Sequence, residues 1–282
     1  MTVELDIDHL RSWIGREDSA SQVLSETLVC QFNATFDRDF KAEPGAVAPL
    51  LIHFCLAQPT VSTEELGPDG HAARGSFLPP VPLPRRMWAG GEFSFHGDIR
   101  VGDPVKRVST VKDVVMKQGR TGQLCFVTVE HEILSAGRLA LTERQDIVYR
   151  EAQTASSPVR RPATAPALIV EHSHRITPSA AYLFRYSAMT FNAHRIHYDR
   201  DYVRDVENYP GLIVHGPLQA TLLCQLAADI SGKTPAVFRF RSASALFDTD
   251  DFMINAANTP DGLTLWTARP DGPIAMEAHA QW

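Results

Sequence analysis

Stretches of alternating apolar and polar residues dominate the chain and fall into two groups. In the first group, residues 91–115 alternate and break briefly at a Gly-Asp step, and residues 123–134 continue the pattern. The second group comprises Ala236–Leu246, Leu263–Thr267 and Ile274–Gln281. Alternation with a period of two is typical of half-buried β-strands, so both groups predict antiparallel sheet.

Apolar segments with helical spacing precede or begin these groups. Asp6 can cap a helix that carries Ile7 and Leu10 on one face. A second helix is predicted from Pro217, because proline suits a first helical turn and leucines follow at helical spacing. Two short stretches of the first half are similar to stretches of the second half: Pro49-Leu50 resembles Pro217-Leu218, and Phe93-Ser94-Phe95 resembles Phe238-Arg239-Phe240.

A segment rich in Pro, Ala and Ser, residues 154–167, separates the two groups. Its composition suits an extended surface linker. We therefore predict an N-terminal domain over residues 1–153 and a C-terminal domain over residues 168–282. Each would be an α+β unit in which an antiparallel sheet wraps around a helix.

Charge and cysteine usage narrow the function classes. The net charge of −6 argues against a general nucleic-acid or membrane-surface binder, which needs a basic footprint. No apolar run reaches membrane-spanning length. The four cysteines are far apart and predict reduced core residues in a cytoplasmic protein, with no metal site.

Chemistry is concentrated in residues 191–216, which contain His194, His197 and His215. An imidazole with a pKa near neutrality is the best single candidate for a general base or acid, and His197 is our choice. Gly216, directly before Pro217, would expose free N–H groups at a helix N-terminus. Such groups stabilise negative charge that develops on an oxygen atom.

This segment resembles the MaoC-like, R-specific enoyl-CoA hydratases, whose motif reads Asp-x-Asn-Pro-x-His-x-Asp and is followed by an Ile-x-His-Gly step. His197 matches the motif histidine, Asp199 its last aspartate, and Ile213–Gly216 the His-Gly step. Asn192 stands where the family has a catalytic aspartate, and His194-Arg195 replace the Asn-Pro pair.

These differences from the family motif indicate a subgroup of the hydratases. NAHRIHYD, together with LPPVPLPRRMWAGGE at 78–92 and VGD at 101–103, is similar to the mesaconyl-C4-CoA/itaconyl-CoA hydratases and the related type 2 hydroxyacyl-thioester dehydratases. The resemblance implies a double hot-dog fold in which the first unit is degenerate and forms an acyl-pocket wall. It also implies an acyl-CoA substrate, hydrated to citramalyl-CoA, with no separate cofactor. A homodimer is a further possibility.

Site residues follow from the segment and the resemblance together. The predicted catalytic residues are His197, Asn192, Gly216 and Asp199. The predicted substrate-binding residues are Arg85, Arg86, Trp88, His194, Arg195, Tyr198 and His215. An arginine near the acyl group would pair with a substrate carboxylate through its planar guanidinium. His71 and the remaining histidines show no partner pattern in the sequence and are interpreted as structural.

Three alternatives remain at this point. A general 3-hydroxyacyl-thioester dehydratase would act on ordinary acyl chains. A hot-dog thioesterase needs a carboxylate on the central helix, but the helix after Gly216 offers Gln219 and Gln225 before Asp229. A non-catalytic acyl-CoA binding protein would explain the amide at Asn192. A serine hydrolase is disfavoured because no Gly-x-Ser-x-Gly step occurs.

Overall fold

The computed structural model describes residues 5–39, 42–119, 122–151 and 169–282. The predicted linker, residues 154–167, lies outside these residues. Within them, one antiparallel sheet has ten strands in the order β1-β3-β4-β5-β2-β7-β10-β9-β8-β6. The strands are β1 Glu17–Val23, β2 Arg85–Phe95, β3 Pro104–Gly119, β4 Gly122–Ser135, β5 Arg138–Arg150, β6 His172–Ile176, β7 Val237–Ser242, β8 Phe252–Thr259, β9 Gly262–Ala268 and β10 Ile274–Gln281. The α-helices are α1 Ile7–Arg11, α2 Glu26–Thr35, α3 Ala180–Met189, α4 Arg200–Asp205 and α5 Gly216–Ser231.

The sheet consists of two copies of one topology. In each half the five strands lie in the order first, third, fourth, fifth, second. The two second strands, β2 and β7, pair antiparallel at the centre, with Phe93 opposite Phe238. Phe93 stacks on Phe238 and on Phe240, so an aromatic core runs across the seam between the halves. Burial of several aromatic rings at one seam strongly favours association of the halves.

Backbone hydrogen bonds give the register of the repeat. Ala48 N donates to Ile99 O at 2.8 Å, and Val214 N donates to Leu246 O at 2.9 Å in the same place of the second half. Ala48 therefore corresponds to Val214, and Pro49 to His215. The sequence match of Pro49-Leu50 with Pro217-Leu218 is therefore wrong by two residues. The two prolines occupy different positions in their turns, and each happens to be followed by a leucine.

The central helix is present in only one half. Helix α5 has 16 residues, is largely buried, and ends at Gly232, whose φ of 72° suits a left-handed cap. At the corresponding place, the first half has a four-residue 3₁₀ turn, Ile52–Cys55. The chain then runs through residues 56–84 towards the second half, where Arg195 N donates to Asp69 O at 2.9 Å. The first half thus contributes a loop to the surroundings of residues 191–216.

Cysteine burial differs from the prediction in one case. Cys55, Cys125 and Cys224 are buried, whereas Cys30 is exposed, so the assignment of all four to the core is wrong for Cys30. All four are free thiols. None of the helices in the described part of the chain is long and apolar enough to cross a membrane.

Candidate active site

The segment between α3 and α5 folds back so that His197 and His215 lie face to face. After α3, the chain passes Asn192 and makes a 3₁₀ turn, Arg195–His197, before α4. It then returns to the first turn of α5 through a bridge between Ile213 and Phe247. The two imidazole rings are 3.6 Å apart between centroids and inclined by 20°. The site is therefore built at the N-terminus of α5.

His197 is held as a neutral base. Its side chain is buried, and Nδ1 lies 2.7 Å from the carbonyl oxygen of Ile213. A carbonyl oxygen only accepts, so Nδ1 carries the hydrogen and Nε2 has a lone pair in the neutral ring. Burial lowers the pKa of His197 from 6.5 to about 4. At neutral pH the Nε2 atom is ready to take a proton.

His215 packs behind His197. Its ring is fully buried, and Nε2 lies 2.8 Å from the hydroxyl of Ser187. Burial lowers the pKa of His215 well below its ordinary value, so this ring is also neutral. His215 Nδ1 is buried without a hydrogen-bond partner. This position suits a residue that supports His197 from behind better than the substrate contact predicted from sequence.

Gly216 begins α5 beneath an aromatic ring from the other half. A Cβ atom at this position would lie 2.8 Å from Cε3 of Trp88, so only glycine fits without displacing the ring. Trp88 itself packs against Phe240, with ring centroids 4.4 Å apart. Pro217 has no N–H and Gln219 N donates to His215 O, so the donor that this turn offers is the N–H of Gly216, which lies beside Trp88.

Asn192 has a backbone contact within the same segment. Its Oδ1 accepts a hydrogen bond from His194 N at 3.0 Å, which fixes the turn that leads to His197. The described residues provide no hydrogen-bond partner for its amide nitrogen. An amide does not exchange protons in catalysis, so Asn192 orients groups and leaves proton transfer to other residues.

Asp199 and Arg195 bind each other. Asp199 Oδ1 accepts from Tyr202 N at 3.0 Å and caps α4, while Oδ2 lies 2.8 Å from Arg195 Nη2. Arg195 Nη1 also donates to Pro68 O at 3.1 Å. These contacts argue against the catalytic role predicted for Asp199 and the substrate contact predicted for Arg195. Tyr198 is exposed and donates to Ala193 O, a local contact within the same turn.

The two neighbouring arginines of β2 have different surroundings. Arg85 forms an ion pair with Glu207, and its guanidinium lies 5.9 Å from the centroid of the Tyr209 ring. Arg86 has no carboxylate partner among the described residues and interacts with the hydroxyl of Tyr149. Burial is the main cause that lowers the pKa of His71 and of His194, and the positive charge of Arg86 lowers both further. Of the two predicted carboxylate binders, Arg86 is therefore the one whose charge is not paired with a protein carboxylate.

The loop from the first half brings in two residues that sequence reasoning missed. Asp69 Oδ2 lies 2.9 Å from His71 Nδ1, and Asp69 Oδ1 accepts from His71 N at 3.0 Å. The His71 ring is 3.9 Å from that of His194, which in turn lies 5.4 Å from His197. No local pattern around His71 indicates that its loop crosses to the other half, so the sequence offered no usable signal.

Asp69, His71 and His194 have the spacing of a metal site. Their ligand atoms all lie within 4.8 Å of one another. However, both Asp69 oxygens already accept hydrogen bonds from His71, and the nearby charge of Arg86 repels a cation. Burial alone would raise the pKa of Asp69, but the bonds from His71 outweigh it and hold the pKa below its ordinary value. We interpret the three residues as a hydrogen-bonded cluster and assign no metal to them.

Comparison with known sequences gives the family. The family model of hydroxyacyl-thioester dehydratase type 2 matches residues 51–248. A mesaconyl-C(4)-CoA hydratase from Chloroflexus aurantiacus is 40% identical over 272 residues, which cover 96% of each chain. A mitochondrial hydroxyacyl-thioester dehydratase type 2 from Schizosaccharomyces pombe is 28% identical over 77% of this chain and 78% of its own.

Solved structures agree on the fold. A MaoC-like dehydratase from Phytophthora capsici superimposes with a TM-score of 0.69 at 11% identity and 99% coverage of both chains. A Mycobacterium tuberculosis protein with a double hotdog fold gives a TM-score of 0.60 at 12% identity, covering 95% of this chain and 96% of its own. These confirm the predicted α+β double hot-dog architecture. The chain belongs to the hydroxyacyl-thioester dehydratase type 2 family of MaoC-like hot-dog proteins.

Proposed function

We propose that this protein catalyses the reversible addition of water to the double bond of an enoyl-CoA thioester, with mesaconyl-C4-CoA as substrate and itaconyl-CoA as the second candidate. The observation that carries the proposal is the neutral His197, whose ring stacks on that of His215 at the N-terminus of α5. The 40% identical relative named mesaconyl-C(4)-CoA hydratase supports the choice of acyl group.

The reaction needs one base and one oxyanion site. His197 Nε2 takes a proton from water while the water oxygen bonds to the β-carbon of the enoyl group. Negative charge then moves to the thioester oxygen, which the N–H group of Gly216 stabilises, whereas Pro217 has no N–H and the N–H of Gln219 already donates to His215 O. The imidazolium of His197 returns its proton to the α-carbon, so the atoms of water are accounted for. No cofactor is required, because the thioester itself makes the α-proton acidic.

The central helix disfavours thioester hydrolysis. Gln219 is occupied at both ends, because its amide nitrogen donates to Val214 O and its oxygen accepts from Thr267. Gln225 accepts from Arg38, and the first carboxylate of the helix, Asp229, forms an ion pair with the same arginine. A hot-dog thioesterase needs a carboxylate facing the thioester, and α5 does not present one.

A direct assay decides between the enzyme classes. Purified protein would be mixed with mesaconyl-C4-CoA, itaconyl-CoA and crotonyl-CoA, and loss of the conjugated enoyl absorbance would be followed beside release of free thiol. Turnover of a dicarboxylic substrate without thiol release supports the proposal. Activity on crotonyl-CoA alone would instead indicate a general enoyl-thioester hydratase. Binding of all three esters without turnover would indicate a non-catalytic acyl-CoA binding protein.

Arg86 is expected to select substrates that carry a carboxylate. Arg86→Gln should lower the ratio of kcat/KM for mesaconyl-C4-CoA to that for crotonyl-CoA by about 30-fold or more, since a charge-assisted hydrogen bond is lost. Arg85→Gln is the matched control, because Arg85 is already paired with Glu207. That variant should keep the ratio within about threefold. An equal fall of the ratio in both variants would contradict the assignment of the carboxylate to Arg86.

A further inference from the structure

The loop that carries His71 is fixed against the catalytic segment. Gly70 has a φ of 87°, and a Cβ atom there would lie 1.9 Å from the carbonyl oxygen of Ala193. Only glycine allows so close an approach of the two backbones. The hydrogen bond from Arg195 N to Asp69 O holds the same contact on the other side. The position of His71 in the site is therefore set by backbone contacts of the two residues that precede it, Asp69 and Gly70.

Asp69 fixes the hydrogen positions on the His71 ring. A carboxylate only accepts, so Nδ1 donates to Asp69 and Nε2 keeps its lone pair in the neutral ring. Burial and the charge of Arg86 lower the pKa of His71 to about 4, with Asp69 acting in the opposite sense and Arg74 in the same sense as Arg86. Together, the Asp69 carboxylate and the neutral His71 ring have one negative charge, and Nε2 of His71 has one lone pair. An aspartate side chain has the same charge and also offers an acceptor.

We propose that Asp69 and His71 supply the second hydrogen-bond acceptor for the attacking water, in place of the aspartate that Asn192 replaces. The inference rests on the proposed hydration reaction. Four observations support it: the Asp69–His71 bond, the contact of His71 with His194, the edge-to-face contact of His194 with His197, and the fixed loop. His194 packs against His71 and keeps its ring in place.

Only one proton of the attacking water is transferred to the protein in this arrangement. One hydrogen of the water moves to His197 Nε2 as the oxygen bonds to the β-carbon, and is later delivered to the α-carbon. The other hydrogen stays on the oxygen and becomes the hydroxyl hydrogen of the product. His71 Nε2 accepts its hydrogen bond throughout and is never protonated. A residue with a low pKa suits this role, because it remains an acceptor over the whole neutral range.

Two substitutions at His71 separate this role from a packing role. His71→Phe keeps a flat ring against His194 but has no acceptor, and should lower kcat for mesaconyl-C4-CoA by about 30-fold, with KM changed by less than about threefold. His71→Gln loses the ring but has an amide oxygen, so its kcat should be about tenfold higher than that of His71→Phe. Asp69→Asn should lower kcat by about tenfold, because the pair loses its charge. His174→Gln, at an exposed histidine of β6, is the control.

The proposal is tested by which of the two His71 variants has the higher kcat. If His71→Phe equals or exceeds His71→Gln in kcat, or if His71→Phe stays within threefold of the wild type, the ring acts only in packing and the proposal fails. Circular dichroism of each variant confirms the fold, and kcat of Asp69→Asn provides an independent decision if His71→Phe does not fold. Wild-type turnover in the same assay tests the hydration function separately. An active wild type with unaffected variants overturns this inference alone.

Discussion

Replacing His197 with alanine is expected to lower kcat for enoyl-CoA hydration by about 10³-fold or more. The substitution removes the Nε2 lone pair of an imidazole ring that the hydrogen bond from Nδ1 to Ile213 O holds in place. His215, directly behind, cannot take over, because its ring is fully buried and its Nε2 is bonded to Ser187. Steady-state kinetics with mesaconyl-C4-CoA measure the effect, and His174→Ala provides the matched loss of a histidine from an exposed position.

The pH dependence of the wild type tests the same assignment. A base must be deprotonated to act, so activity is lost as the pH falls through the pKa of His197, which burial lowers to about 4. We expect kcat/KM to stay level from about pH 8 down to about pH 5 and to fall below that. An acidic limb centred near 6.5, the ordinary value for histidine, would show that the base is an exposed imidazole and would contradict the role of His197.

The sequence predicted those parts of the fold that have a clear local pattern. Helix α5 begins at Gly216, one residue before the predicted proline start, and α1 is capped by Asp6 as expected. Of the alternating segment at 91–115, residues 91–95 and 104–115 are strand and residues 96–103 are not, whereas residues 274–281 form strand β10 throughout. In β3, for example, one face is buried along most of the strand, so the alternation of the residues records the burial directly.

Elements without such a pattern were missed. No helix was predicted at α3, which buries Leu183 and Tyr186 while leaving Phe184 exposed. Strand β8 is buried on both faces for most of its length, which removes the alternation, and its Ala and Asn residues have low strand propensity. In both elements, burial is decided by neighbours that lie far away along the chain.

The residues of the candidate site also divide into those that a local sequence pattern identifies and those that it does not. His197, His215 and Gly216 come from one segment, so residue type and spacing identified them as candidates, although His215 packs against His197 and bonds to Ser187 instead of taking the predicted substrate contact. Asp69 and His71 lie on a loop of the other half that follows a 3₁₀ turn in place of a central helix, and their contact with His194 joins residues far apart in the sequence. Arg85 and Arg86 are adjacent in sequence, and only the partner Glu207 distinguishes them.

Trp88 links the halves at the point where the oxyanion would lie, and this gives the second large prediction. Gly216→Ala should lower kcat by about 10²-fold, the scale observed when one donor of an oxyanion site is lost. The added methyl group would lie 2.8 Å from Cε3 of Trp88, so either the ring or the first turn of α5 must move. Gly97→Ala is the control, because a Cβ there meets only Leu139 O, at 3.8 Å.

A double variant identifies the cause of that loss. Trp88→Phe makes room beside Gly216, so Gly216→Ala combined with Trp88→Phe should be more active than Gly216→Ala alone, by about tenfold. The coupling arises because both substitutions act on the same gap between β2 and α5. Independent effects of the two substitutions would mean that the methyl group harms the site without displacing the ring. Kinetics of the four proteins with mesaconyl-C4-CoA therefore show whether a residue of the degenerate half sets the geometry of the oxyanion site.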